Sequence, residues 1–253
     1  MLRRTTLVTL AVALLVAVAP EAQGKAVVQI TSCGQTVTTD AVLTQNLACV
    51  HAAGVVIGAD GVTVDLKGFT LRGDRSTGLY GIDDNGYDGV TIKNGVIRTF
   101  ESDVAAYNYA DKFSVSDLVI SGTPNDGIFV SGASASVKSS TAGGNAYGIV
   151  IFGPLALVRT STASGNTASG VYVNGAAARI QSSTASGNGA HGIRVDGDAP
   201  RITGNHTDVN GFVGGFDLNG LGIVVSGYTT APVGTNVAHG NDDPSECAPT
   251  SLC

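Results

Sequence analysis

Four residues in the second half of the chain offer a ring, an amide, a guanidinium and a carboxylate at one repeating offset. Glycine followed by Ile or Val recurs at Gly127, Gly148, Gly170 and Gly192, in steps of 21, 22 and 22 residues. Two positions past each such glycine, and past Gly81 and Gly222, stand Asp83, Phe129, Val150, Tyr172, Arg194 and Val224. Tyr172 thus lies one repeat before Arg194, and Asn174 one repeat before Asp196. A ring can cover the C–H face of a sugar, and a guanidinium can grip its carboxylate through paired N–H groups. The step from Gly192 to Gly222 is 30 residues, and the extra length falls around Phe212 and Phe216. Long insertions on repeat scaffolds often carry function. Phe212 and Phe216 are therefore expected to wall a groove lined by Tyr172, Asn174, Arg194 and Asp196. The plainer alternative is that the two rings cover Val150 and Tyr172.

Other candidate groups are weaker. Lys138 and Arg159 align one repeat apart on an outer face, where an anionic polymer or plain solvation would account for them. Asp83-Asp84-Asn85-Gly86-Tyr87-Asp88-Gly89 is oxygen-rich but lacks the closing bidentate Glu of a calcium loop, and reads as turns. The one methionine is Met1, so thioether copper ligands are not expected. The four histidines are scattered, no metal site is assigned, and no cofactor is expected.

These side chains are positioned by the repeat. The tracts SSTAGGN, TSTASGN and SSTASGN end at Asn145, Asn166 and Asn188. Val115, Val137, Val158, Ile180 and Ile202 keep the same step and are the expected core column. A fixed period of this length is one supersecondary unit stacked on itself. Period-2 alternation in Val62-Thr-Val64-Asp-Leu66 and Val90-Thr-Ile92 marks short strands. About 22 residues accommodate three short strands and three turns, one coil of a parallel solenoid. Residues 54–240 are read as about eight coils, a rod roughly 40 Å long. Residues 25–53 are read as an N-terminal cap, with Asp40 as N-cap of a short helix. Strict alternation from the core column points Thr141, Thr162 and Thr184 inward unless a turn resets the phase, which argues against an ice-binding face of outward threonines.

Gly127-Ile-Phe-Val-Ser-Gly and its copies resemble the coils of right-handed parallel β-helix proteins, the pectate-lyase-like group. Cys33-Gly-Gln-Thr-Val and Gly61-Val-Thr-Val-Asp65-Leu-Lys-Gly-Phe-Thr-Leu71 are similar to the opening cap and first coils of secreted bacterial members. The resemblance implies an all-β, single-stranded right-handed parallel β-helix capped at both ends. The group includes polysaccharide lyases, hydrolases and epimerases, a periplasmic copper-maturation protein, and members without known activity. In its catalytic members an outer sheet face holds the saccharide. The paired signatures of polygalacturonase-like hydrolases are matched only faintly, by Ala190-His191-Gly192 and Arg194-Val195-Asp196. Asp83 lies five coils from Asp196, roughly 24 Å along the axis, too far for two carboxylates that must act within about 10 Å. The Asp-Pro-His-Asp signature of mannuronan epimerases is absent.

Residues 1–24 read as a secretory signal peptide: Arg3 and Arg4, a short apolar run, then small residues. No later run is long enough to span a bilayer, which takes ~20 apolar residues. Export makes two local disulfides the simplest pairing, Cys33–Cys49 and Cys247–Cys253, the second stapling a tail at 241–253. The net charge of −6 argues against nucleic acid as the main partner. Two functions remain: a secreted β-helix binding or modifying an extracellular, acidic polysaccharide, or a non-catalytic surface or envelope protein. The sequence does not decide whether the chain is an enzyme.

Overall fold

The computed structural model describes residues 26–211, 220–229 and 233–253. The expected signal peptide and the Phe212/Phe216 wall lie outside the described residues. What is described is a right-handed parallel β-helix whose coils stack through parallel pairing alone. One sheet runs through ten strands, from Gln35–Val37 to Cys247–Ala248, which gives about nine turns. Eight of those strands fall between residues 54 and 240, as the period implies. The other, 15-stranded sheet holds two rows of short strands that meet at a corner. Pairing starts earlier than expected: Val28–Ile30 and Gln35–Val37 already belong to coils.

The core is one continuous cluster inside the coils. Val115, Val137, Val158, Ile180 and Ile202 stack in register and are fully buried. The expected helix at Asp40 is instead the strand Ala41–Leu43, whose buried–half-buried–buried pattern suits a two-faced strand. The Asp40 carboxylate accepts a hydrogen bond from the Thr63 N–H one coil on, at 2.9 Å.

The threonine phase is also corrected. Thr141, Thr162 and Thr184 point outward, and Ala142, Ala163 and Ala185 are buried in their place. The cause is the corner. Ser139, Thr160 and Ser182 have φ of 48–49°, the left-handed region. Each is followed by a buried serine, Ser140, Ser161 or Ser183. That two-residue corner shifts the alternation by one. The outward threonine rank spans three coils and is followed by His206.

At the next corner Asn145, Asn166, Asn188, Asn210 and Asn241 form a buried ladder. The Asn188 side-chain N–H groups donate to the Ala163 carbonyl (3.0 Å) and to Asn210 Oδ1 (2.9 Å). Its Oδ1 accepts from the backbone and side-chain nitrogens of Asn166, at 3.1 and 2.9 Å. The glycine after each asparagine corner leaves room for the ladder. A Cβ on Gly148 would sit 2.5 Å from the Gly170 carbonyl oxygen and 2.8 Å from Asn166 Nδ2. A second ladder, Asn205 to Asn236, closes on the Leu252 carbonyl at the C-terminal end. Cys33 is bonded to Cys49 near the other end. Cys247 and Cys253 lie against each other, with Cα atoms 6.1 Å apart, a bridging separation.

Two stability measurements follow. Asn188→Ala leaves the Asn166 backbone and side-chain N–H groups and the Ala163 carbonyl short of partners, while Asn210 Oδ1 keeps the backbone N–H of residue 188. At ~1–3 kcal/mol per buried unsatisfied group, the loss should reach at least about 3 kcal/mol, read by denaturant unfolding. A loss under 1 kcal/mol would show that the ladder is not the stabilising element. The second concerns Asp103, fully buried, whose carboxyl is pushed up to about 8 by burial against hydrogen bonds from the Phe100 and Ser121 N–H groups. Its folded pKa exceeds the unfolded value, so the folded state holds an extra proton between about pH 4 and 8. Stability from this group is full below pH 4 and falls as pH rises through 8. Asp103→Asn should flatten the decline of Tm across that window; an unchanged slope would contradict the assignment.

Candidate functional site

The outward face of the ten-stranded sheet is a grid. Strand pairing places Asp83, Ala105, Phe129, Val150, Tyr172, Arg194 and Val224 in its central column, one per coil. This is the register obtained by counting from the glycines. Two residues on, a flanking column includes Phe152, Asn174, Asp196 and Ser226. An edge column before the glycines includes Tyr80, Asp126, Tyr147 and His191.

The structure brings Tyr172, Asn174, Arg194 and Asp196 together on adjacent coils. Arg194 already has a partner, however. Its Nη2 donates to Asp196 Oδ2 at 2.8 Å, and its Nε lies 3.1 and 3.2 Å from the two carboxylate oxygens. Asp196 also accepts from the Tyr172 hydroxyl (2.9 Å) and from the Ser226 hydroxyl. The guanidinium stacks over the Tyr172 ring, 5.1 Å from its centroid. Burial pushes the Asp196 carboxyl up, but hydrogen bonds from Arg194, Ser226 and Tyr172 outweigh it and hold the group below the usual range. Burial and then the bond to Asp196 raise the Tyr172 hydroxyl. Tyr172, Arg194 and Asp196 are thus a preorganised, internally neutral cluster, with the Asn174 amide bonded to the Tyr172 hydroxyl and the remaining guanidinium N–H groups left for hydroxyl oxygens.

A cleft of about 500 Å³ opens beside it, bordered by Tyr147, Ser169, Tyr172, His191 and Arg194. His191 Nδ1 accepts from the Leu221 N–H at 3.1 Å, so the neutral ring carries its proton on Nε2. Burial, then the nearby Arg194 charge, lowers its pKa. His191 and Tyr147 were missed as site members. The signal that finds them is their shared place immediately before Gly148 and Gly192.

The larger omission is an aromatic ladder. Tyr80, Tyr107, Phe129, Phe152 and Tyr172 follow one another with ring centroids 5.4, 5.0, 5.6 and 5.7 Å apart. Arg194 continues it over Tyr172. The rings cover outward residues that would otherwise face water: Ala105 is fully buried and Val150 is 4% exposed. Burial raises the carboxyls at the ladder's N-terminal end. Asp126, beside Tyr107, is pushed up to about 6, and Asp83 is also raised. Asp126 stands three coils from His191, roughly 14 Å along the axis.

Metal donors do not gather on the described residues. No free cysteine occurs, and no three His, Cys, Asp or Glu side chains converge. The His206 and His239 rings approach to 6.2 Å on neighbouring coils, a pair without a third ligand.

The cluster makes one checkable statement about protonation. His191 should be mostly neutral at pH 6.5, its neutral form protonated on Nε2, seen in imidazole ¹⁵N shifts. Arg194→Gln removes the positive charge and leaves Asp196, so the His191 pKa should rise. A fall, or a half-protonated wild-type ring at pH 6.5, would refute the geometry.

Among solved structures, the A-module of a mannuronan C-5 epimerase from Azotobacter vinelandii superposes with a TM-score of 0.53 at 16% identity. The match covers 86% of this chain and 80% of that one. A pectate lyase superposes with a TM-score of 0.44 at 15% identity, covering 83% and 72%. No curated protein matches. At such identities the likeness is one of fold. The family model described as periplasmic copper-binding protein (NosD) matches residues 56–242, and since that is most of the β-helix, the chain belongs to the NosD family.

Proposed function

We propose that the chain is an exported polysaccharide-binding β-helix that holds a glycan along the outward face of its ten-stranded sheet. The observation that carries this reading is the five-ring ladder ending at the Tyr172–Arg194–Asp196 cluster beside the His191 cleft. Rings one coil apart present apolar C–H surfaces along an axis, the pattern a linear sugar chain requires. The cluster supplies polar groups held in fixed orientation, which recognises hydroxyls without the cost of ordering them. Export is supported by the periplasmic family and the Cys33–Cys49 bond. No helix among the described residues is long and apolar enough to cross a membrane. The epimerase and the pectate lyase share the scaffold and lend the reading a precedent, not a reaction.

Binding without catalysis fits the groups present. The proton-holding candidates Asp126 and His191 stand ~14 Å apart on one column, beyond the span of a cooperating pair. Copper, which the family description names, would take thiolate, thioether or imidazole donors. No described cysteine is free, the only methionine is Met1, and the His206/His239 pair has no third His, Cys, Asp or Glu beside it among the described residues. The described residues do not fit a copper centre.

The test is a panel of neutral and acidic polysaccharides assayed by affinity electrophoresis and calorimetry. Tyr172→Ala should weaken binding by about 1 kcal/mol, roughly fivefold. Its near-native circular dichroism would show that the coil survives. Absence of binding to any polymer by the wild-type protein would refute the reading.

A further inference from the structure

Asp196 occupies the Arg194 guanidinium, so the aromatic face carries no unpaired cation with which to select an acidic polymer. Unpaired cations stand elsewhere. On the 15-stranded sheet, Lys138 pairs in register with Arg159, and Arg179 with Arg201. Leu157 pairs with Arg179 and Arg159 with Gln181, which locks the two columns together. Four consecutive coils therefore present one cation each: Lys138, Arg159, Arg179, Arg201. All four are exposed. None makes an ion pair among the described residues, whose pairs involve Asp65, Asp74 and Asp196. Neither outward column holds an Asp or Glu between Thr91 and Arg201. Asp198 precedes Arg201 by three residues, and its carboxylate is taken up by the Thr229 N–H and hydroxyl. Asp117, at the corner beside Ser116, makes no ion pair with Lys138.

The arrangement is costly in isolation. Successive coils are ~4.8 Å apart, and like charges at that spacing repel. A chain of net charge −6 nevertheless places four cations on successive coils with no acid beside them in their columns. Lys138, Arg159 and Arg179 border a groove of about 520 Å³ whose floor and rim include Leu155, Leu157 and Ala177, and Arg201 follows one coil on. Leu155 is 57% exposed. Apolar rim and one cation on each of four successive coils, stepping two residues across the sheet between Arg159 and Arg179, together describe one occupant.

We propose that this groove binds a linear polyuronate, one carboxylate to each coil's cation, with the sugar C–H faces against Leu155 and Leu157. The inference rests on the polysaccharide reading above and assigns its acidic preference to this stripe rather than to Arg194. A polymer with one carboxylate per residue advances by about one coil per sugar, so its charges meet the cations in register. Single-stranded nucleic acid fits less well, because its bases need stacking rings that this groove does not offer.

The experiment measures binding of the wild-type protein, an Arg159→Gln/Arg179→Gln variant and Tyr172→Ala to polygalacturonate, dextran and single-stranded DNA. The stripe variant should bind polygalacturonate about tenfold more weakly, and wild-type binding should weaken as salt rises. Binding of any neutral polymer should be unchanged in the stripe variant. Equal polygalacturonate affinity in wild type and stripe variant overturns the proposal. So does loss of that affinity in Tyr172→Ala alone, which would return acid recognition to the aromatic face. DNA binding equal to or tighter than polygalacturonate binding overturns the occupant. Binding of dextran without polygalacturonate sinks the stripe and leaves the aromatic-face reading standing; binding of neither polysaccharide sinks both.

Discussion

Buried asparagine amides set the axial register on which everything else depends. A solenoid of short strands has no hairpin to fix how one coil sits on the next, and a slip would move every outward side chain. Asn166, Asn188 and Asn210 remove that freedom. Each is fully buried, donates through Nδ2 to a carbonyl of the coil before and to the asparagine of the coil after, and accepts at Oδ1 from the asparagine of the coil before. A buried amide is costly unless every hydrogen bond is made, and shifting one coil would break several at once. The glycine after each corner is the steric counterpart, since any side chain there would occupy the ladder's space.

Because register is fixed, residues a period apart in sequence become neighbours in space, and this decided what the sequence revealed. The core column and the Tyr172–Arg194 and Asn174–Asp196 pairings needed only counting from glycine. The aromatic ladder did not show itself by counting, since its rings come from three columns: Tyr80 from the edge, Phe129 and Tyr172 from the centre, Phe152 from the flank. Rings from different columns meet because small residues such as Ala105 and Val150 lie between them. The threonine phase was hidden for another reason. A left-handed residue at Ser139, Thr160 and Ser182 costs little in sequence signal but reverses the alternation of everything after it.

The two basic features show how context decides what an arginine does. Arg194 stands one coil after a tyrosine and two residues before an aspartate on the same face. It is neutralised and stacked, and its role is to hold Tyr172 and Asp196 in place. Arg159 and Arg179 are one coil apart where their columns hold no carboxylate between Thr91 and Arg201, and their charge stays available. Sequence reading favoured Arg194 for a ligand carboxylate because it saw the aromatic and the acid nearby. The same proximity is what occupies it.

Rigid coil spacing also bounds the chemistry open to the fold. Groups in one column are separated by multiples of ~4.8 Å, and a hydrolytic carboxylate pair needs roughly 5–10 Å. Such a pair must therefore sit on the same or nearby coils. Asp83 and Asp126, the two desolvated carboxyls of the outward face, differ by two coils and by three residues across the strand, roughly 14 Å in all. Asp126 and Asp196 differ by three coils. The carboxyls are raised by burial under the ladder, where Tyr107 takes up hydration space, and not by one another. A face that spaces its acids too widely for joint proton transfer, yet aligns five rings within reach of one another, suits the proposed role of holding a polymer better than that of cleaving one.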